Sequence, residues 1–272
     1  MGLKFTKMQG LGNDFIVIDD LNSKTLSELT PETAQKISDR RLGIGADQVL
    51  WLKPVKNGRA DARMEILNAD GSMAEMCGNG IRAIALYLNR YGAIKKASYR
   101  IETLAGVLPV ELQGNQVRVG MGIPKLQSLR EEVLNLNGKD HLYLGVEVGV
   151  PHAVFAVDDV SVVPLETWGP VIENHSRFPN KTNVDFYQVL SLHKIKLRVW
   201  ERGAGPTLAC GTGACSTAVA AIFLGRAKSP LEVELPGGVL KIEWKGVGKP
   251  VIMTGPAVEV FRGEWSDSPA CD

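Results

Sequence analysis

The chain is poor in the residue patterns that mark the commonest chemistries. It has four cysteines and four histidines in 272 residues. The cysteines are too few and too scattered for a disulfide scaffold, so a reducing, cytoplasmic setting is expected. No Cys-x2-Cys or His-Glu-x2-His occurs, and Cys210-x4-Cys215 is not a zinc spacing, so no metal site is expected. Gly10-Leu-Gly12 and Gly43-Ile-Gly45 each lack the third glycine of a dinucleotide fingerprint, and no Walker sequence is present. Lys and Arg number 31 against 30 Asp and Glu, a net charge of +1. That balance offers no basic field for nucleic acid or an anionic membrane. The longest apolar stretch, Gly213 to Gly225, falls short of the ~18 residues a membrane span needs. The first residues, MGLKFTKMQGLGNDF, carry charge where a signal peptide needs an apolar run. Their loose fit to a myristoylation pattern is set aside, because the segment alternates like an entering strand.

Apolar residues at 44% and charged residues at 22% are ordinary for a globular protein with a substantial core. Short strands with period-2 alternation dominate. Lys194 to Trp200, Leu231 to Leu235 and Ala257 to Phe261 each put apolar side chains on one face and charges on the other. Thr30-Pro31-Glu32 signals a helix start, with Thr30 as N-cap and Pro31 at the first helical position, running to about Arg40. Further helices are expected from Gly78 to about Asn89 and from Gly211 to about Phe223. Strands outnumber helices, so the expected class is α+β with mostly antiparallel sheets.

Two segments repeat. Cys77-Gly-Asn-Gly80 opens one expected helix and Cys210-Gly-Thr-Gly213 opens another. Ala105-Gly-Val-Leu108 answers Gly237-Gly-Val-Leu240, and Asn13-Asp-Phe15 resembles Val184-Asp-Phe186. Three landmarks in the same order indicate a duplicated unit. Each half would be a sheet wrapped on one central helix. The expected domains are 1–114 with 255–272, carrying Cys77, and 115–254, carrying Cys210.

A cysteine followed by Gly-x-Gly at a helix start has a specific physical meaning. The glycines let a ligand approach the backbone, and the first-turn amides point outward without helical partners. Together with the positive end of the helix dipole they form an anion site, and the same field favours thiolate. Two such thiols facing each other across an interdomain cleft suit removal of a proton from one face of a Cα and its replacement on the other. Taken singly, a cysteine is most often a small buried apolar residue, and Cys215, inside the helix, reads that way. Cys77 and Cys210 depart from it because both sit at the same place in a repeated motif. His152, after Pro151, is either a hydrogen-bonded loop residue or a cleft residue. Glu201-Arg202 is either a solvated strand end or a clamp for a zwitterion, and its position before Cys210 favours the clamp.

These segments resemble the diaminopimelate epimerase family. The resemblance lies in MQGLGNDF (Met8 to Phe15), RLGIGADQ (Arg41 to Gln48), NADGSMAEMCGNGIR (Asn68 to Arg82), PHAV (Pro151 to Val154), NVDF (Asn183 to Phe186) and ERGAGPTLACGTGAC (Glu201 to Cys215). It implies two similar domains and cofactor-free interconversion of LL- and meso-2,6-diaminoheptanedioate, on the way to lysine and peptidoglycan. It implies Cys77 and Cys210 as the acid/base pair, with Cys210 taking the α-proton in the LL-to-meso direction. Gly78, Asn79, Gly211 and Thr212 would offer amides to the reacting carboxylate, and Asn13 and Gln48 would help hold substrate. Asn68, Asn183 and Arg202 would bind the distal carboxylate, with Glu201 near the ammonium, and His152 and Glu201 would adjust the thiol pKa values. A homodimer is expected. The chain departs from the family pattern at Val150, where many members have Asn, and at Pro206, where Glu is frequent. Rival expectations are a racemase of the same fold acting on proline, hydroxyproline or histidine, and a thiol redox or binding protein.

Overall fold

A computed structural model describes residues 2–21, 29–55, 58–92, 95–136 and 138–266; Cys271 lies outside them. The chain divides into two compact units, Met1–Val117 with Pro256–Asp272, and Arg118–Gly255. In chain order the elements begin β1 (Leu3–Gly10), β2 (Asn13–Asp19), α1 (Pro31–Ser38), β3 (Gln48–Lys53), β4 (Ala62–Asn68), β5 (Met73–Ala74), α2 (Gly78–Tyr91), β6 (Ser98–Thr103), β7 (Gly106–Gln113) and β8 (Gln116–Gly120). There follow β9 (Lys125–Leu126), β10 (Glu132–Leu136), β11 (Lys139–Val148), β12 (Val150–Ala156), α3 (Leu165–Glu173), β13 (Asn183–Ser191), β14 (Lys194–Glu201), β15 (Gly205–Thr207), α4 (Gly211–Phe223), β16 (Leu231–Leu235), β17 (Gly238–Trp244), β18 (Val251–Pro256) and β19 (Val258–Trp265). The class is α+β, as the alternation indicates.

In the first unit the sheet runs β19-β1-β2-β3-β4-β6-β7, parallel at β2/β3 and β4/β6 and antiparallel elsewhere, with β5 also on β4. Alternation splits its side chains between two layers. Ile16, Ile18, Val49 and Trp51 pack with Ala34 and Ile37 of α1. Phe15 and Leu50, on the opposite face by the two-residue period, are buried on the α2 side. Gly78 through Leu88 of α2 are buried, which makes it the centre of the unit. Helix α1 starts as expected, the Thr30 hydroxyl accepting from the Thr33 amide at 3.2 Å. It stops at Ser38 rather than near Arg40, because the Asp39 carboxylate draws the amides of Arg41 and Leu42 into a turn, both at 2.7 Å.

The second unit repeats this order. Its sheet runs β11-β12-β13-β14-β16-β17-β18, parallel at β12/β13 and β14/β16, with β15 on β14. Helix α4 is the central element, buried from Gly211 through Ala221. Its Ala, Ser, Thr and Cys side chains are small, as an all-round buried helix requires for close sheet contact; Cys215 is fully buried among them. The sequence pattern does not announce α3, which contains Pro170 and has no side-chain cap. Tertiary packing holds it instead. A Cβ on Gly169 would lie 2.4 Å from the Trp200 ring, and Trp200 Nε1 donates to Glu173 Oε2 at 2.8 Å.

The repetition aligns individual positions. Gln48 opens β3 opposite Asn68 of β4, as Asn183 opens β13 beside the Glu201 end of β14. Leu50 therefore matches Asp185. Through the parallel pairs Phe15/Gln48 and His152/Asn183, Phe15 matches His152.

Candidate active site

Each central helix begins on a cysteine in extended backbone conformation. In the first unit Cys77 is the N-cap of α2, and its Sγ accepts the Gly80 amide at 3.2 Å. In the second, Cys210 is the N-cap of α4, and its Sγ accepts the Gly213 amide at 3.3 Å. A sulfur in the place usually held by a Ser or Asp oxygen faces the positive end of the helix dipole. The remaining first-turn amides, those of Gly78, Asn79, Gly211 and Thr212, have no partner within their helices.

Around Cys77 the groups are neutral amides backed by a charge network. Cys77 Sγ lies 3.7 Å from Asn13 Oδ1, which also accepts from Asn79 Nδ2 at 3.3 Å. The Asn13 amide is turned this way because its Nδ2 donates to Asp47 Oδ2 at 2.8 Å. Asp47 shares Arg40 with Asp14, which also pairs with Lys7 at 2.7 Å. Burial alone would raise the Asp14 carboxyl. The hydrogen bonds from Arg40 and Lys7 and the Asp47 amide overcome it and hold the carboxyl down at about 2. Gln48 Nε2 donates to Asn68 Oδ1 at 2.9 Å, and Asn68 donates onward to Ser72 at 2.9 Å.

Around Cys210 the groups are ionisable. Thr212 Oγ1 lies 3.4 Å from Cys210 Sγ and 3.0 Å from His152 Nε2. His152 Nδ1 lies 2.9 Å from Asp185 Oδ2, both side chains fully buried. Thr217 Oγ1 donates to the same oxygen at 3.2 Å. Glu201 accepts from Thr207 Oγ1 at 2.6 Å and is hydrogen-bonded to Cys210. Burial pushes the Cys210 thiol well up, and the charges of Glu201 and Asp185 push the same way. Burial also raises the Glu201 carboxyl, against its bonds to Thr207 and Cys210 and the field of His152.

Nearby, Asn183 Nδ2 donates to Pro151 O at 2.8 Å, and Asn183 Oδ1 accepts the Arg202 amide at 2.9 Å. The exposed Arg202 guanidinium donates to Asn180 O at 3.2 Å. Pro206 pairs opposite Trp200 in β15, and Val150 opens β12 opposite Val148.

Asn13, Gln48, Asn68, Cys77, Gly78 and Asn79 thus belong to the first unit, and His152, Asn183, Glu201, Arg202, Cys210, Gly211 and Thr212 to the second. Sequence reasoning missed Asp47, Asp185 and Thr207. A carboxylate two residues after Asn183, flanked in the strand by Val184, Phe186 and Tyr187, is the signal that could have found Asp185.

The arrangement defines a class of protein first. The fold is that of a hydroxyproline epimerase from Agrobacterium vitis, with a TM-score of 0.74 and 15% identity over 98% of this chain and 93% of that one. It is also that of a Bacillus anthracis phenazine biosynthesis protein of the PhzF family, with a TM-score of 0.73 and 18% identity over 97% and 99%. A narrower kinship is carried by sequence. The model of the diaminopimelate epimerase family matches residues 5–127 and 145–260. A diaminopimelate epimerase of Nitrosospira multiformis is 48% identical over 97% of this chain and 98% of its own length. The chain belongs to the diaminopimelate epimerase family.

Proposed function

We propose that the protein epimerises 2,6-diaminoheptanedioate between its LL and meso forms, with Cys77 and Cys210 as a two-base pair and no cofactor. The observation that carries this reading is the repeated helix start: in each unit a thiol caps a buried helix and accepts a first-turn amide, in a chain of this family. A Cα–H is far less acidic than a thiol, so the developing carbanion needs stabilisation. First-turn amides of Gly78, Asn79, Gly211 and Thr212 supply it by receiving charge that moves onto the substrate's carboxylate. In the LL-to-meso direction Cys210, as thiolate, takes the α-proton while the Cys77 thiol delivers one to the opposite face. The reverse direction exchanges the roles. The Asn13 carbonyl oxygen beside Cys77 Sγ suits a thiol that waits protonated. His152 and Glu201 adjust the Cys210 thiol.

For the rest of the substrate, Asn13 and Gln48 help hold it, and Glu201 faces its ammonium. Asn68, Asn183 and Arg202 receive the distal carboxylate; the Arg202 amide bound to Asn183 supports grouping the last two. Val150 supplies no polar side chain at the distal end, and Pro206 offers no amide donor. No helix among the described residues is long and apolar enough to cross a membrane. A pair of working thiols needs a reducing compartment, and we place the protein in the cytoplasm. The exposed Val258, Val260 and Phe261 of β19 support a homodimer, which sedimentation would detect.

The test is substitution of each thiol. Cys77→Ala and Cys210→Ala should each abolish epimerisation of LL-diaminopimelate with the fold retained. Near-normal turnover by either variant contradicts the two-base scheme, and activity on proline instead would favour the rival racemase reading.

A further inference from the structure

The two units share strand order, helix placement and the cysteine cap, yet the side chains beneath the caps differ in kind. At matched positions the first unit has Phe15 and Leu50 and the second has His152 and Asp185. The correspondence is spatial as well as topological. A Cβ on Gly80 would lie 3.1 Å from Leu50 Cδ2, and one on Gly213 would lie 3.2 Å from Asp185 Oδ1. Leu50, with the buried Phe15 on the same sheet face, packs at the start of the helix that Cys77 caps, where the second unit has a fully buried imidazole–carboxylate pair.

We propose that Asp185, His152 and the Thr212 hydroxyl form a proton relay serving Cys210 alone, with Asp185 as the positioning residue that orients His152. The inference rests on the two-base reading given above. Its direction follows from the contacts. Asp185 Oδ2 lies 2.9 Å from His152 Nδ1, in ion-pair contact but out of line for a hydrogen bond; a bare nitrogen lone pair would repel a carboxylate this close, so Nδ1 carries the proton and Nε2 is left to accept. The Thr212 hydroxyl then donates to Nε2 (3.0 Å) and accepts from the Cys210 thiol (3.4 Å). When the base forms, the thiol proton passes to the Thr212 oxygen as the Thr212 proton passes to Nε2. The S–H bond breaks, an N–H bond forms, and Thr212 is regenerated. The products are a thiolate and an imidazolium, so the site's net charge is unchanged.

The alternative, loss of the thiol proton to water, would leave one more negative charge in a buried site. Glu201 of β14 and Asp185 of β13 already press against that outcome. His152 of β12, Asp185 and Glu201 are the ionisable neighbours acting on this thiol. Asp185 touches the imidazole and reaches the sulfur only through two intervening groups, so it favours the cation more than it opposes the thiolate. Thr217 and the missing side chain at Gly213 leave the carboxylate room to hold that orientation.

The two possible effects of Asp185 have opposite signs, which makes the test sharp. Acting only as a nearby charge, it would hinder thiolate formation, and Asp185→Asn would move the ascending limb of the pH–rate profile in the LL-to-meso direction to lower pH. Acting through the relay, Asp185→Asn should lower kcat at least tenfold and move that limb to higher pH. Thr212→Val, which keeps the backbone amide and cuts the hydroxyl bridge, should do the same, and Thr212→Ser should restore most of the rate. An Asp185→Asn limb that stays or moves lower, or a Thr212→Val variant as fast as Thr212→Ser, overturns the relay. Cys210→Ala is run alongside: if it keeps turnover, the two-base reading itself fails, whereas an inactive Cys210→Ala beside an unshifted Asp185→Asn condemns only the relay.

Discussion

Replacing Gly80 or Gly213 by alanine perturbs the cysteine of its own unit, Cys77 or Cys210, through packing rather than charge. In an ordinary helix interior such a change removes backbone entropy from the unfolded chain and stabilises by up to about 1 kcal/mol. Neither glycine has a positive φ, so strain does not oppose the change. Space does. At Gly80 the new methyl would meet Leu50 Cδ2 at 3.1 Å and Cys77 Sγ at 3.2 Å; at Gly213 it would meet Asp185 Oδ1 and Val199 Cγ2 at 3.2 Å and Cys210 Cβ at 3.3 Å. Leu50, Asp185 and Val199 are buried and fixed by their strands, so the helix start must yield by a few tenths of an ångström. Overpacking of this kind costs about 1–3 kcal/mol. The net expectation is a loss of roughly 1–2 kcal/mol in the affected unit, a fall in its melting temperature of about 3–8 °C.

The effect on turnover should be larger than that on stability, because the displaced atom is the thiol itself. A misplacement approaching 1 Å costs up to about 100-fold in rate, so kcat should drop more than tenfold in either variant. Calorimetry and steady-state epimerisation read the two quantities. Variants that melt higher than the wild type and turn over normally would refute the argument that the second glycine of each Cys-Gly-x-Gly exists for close approach.

Glu201→Gln keeps the acceptor for Thr207 but removes a charge that holds the Cys210 thiol up. The ascending limb of the pH–rate profile should therefore move to lower pH, opposite to Asp185→Asn, and KM should rise if Glu201 faces the substrate's ammonium as proposed. Asp14, held at about 2 against an ordinary 3.8, stabilises the first unit fully above about pH 4. That contribution, roughly 2 kcal/mol at most, is lost as pH falls towards 2. Urea midpoints should decline over this window in the wild type and much less in Asp14→Asn. Thr30→Ala, which deletes the cap of α1, should cost about 1 kcal/mol in the same unfolding assay without changing kcat.

What could be read from the sequence was whatever rests on local rules. Thr30-Pro31 and the two Cys-Gly-x-Gly segments announce helix starts because capping and backbone freedom act over three or four residues, and α4 begins and ends where expected. Helix α3 was hidden because Gly169 and Pro170 weaken it locally, and only the Trp200 ring on a distant strand explains why it forms. The Asp185–His152 pair was hidden for a related reason. Its partners lie on strands that meet through a parallel register, and Asp185 within NVDF reads as one polar residue in a half-buried strand. Asp47 escaped notice in the same way, since its work is done on Asn13 through a turn that the pattern alone does not fold. The charge network of Lys7, Asp14, Arg40 and Asp47 likewise joins four segments that no spacing rule connects.

Incubation of purified protein with LL-diaminopimelate in deuterium oxide, with no added cofactor, bears most directly on the proposed exchange of protons by Cys77 and Cys210. Meso product should accumulate with one solvent deuteron at the inverted carbon, while unreacted LL substrate at early times stays largely unlabelled. Meso product that keeps the substrate's own hydrogen, or no inversion at all, would contradict it.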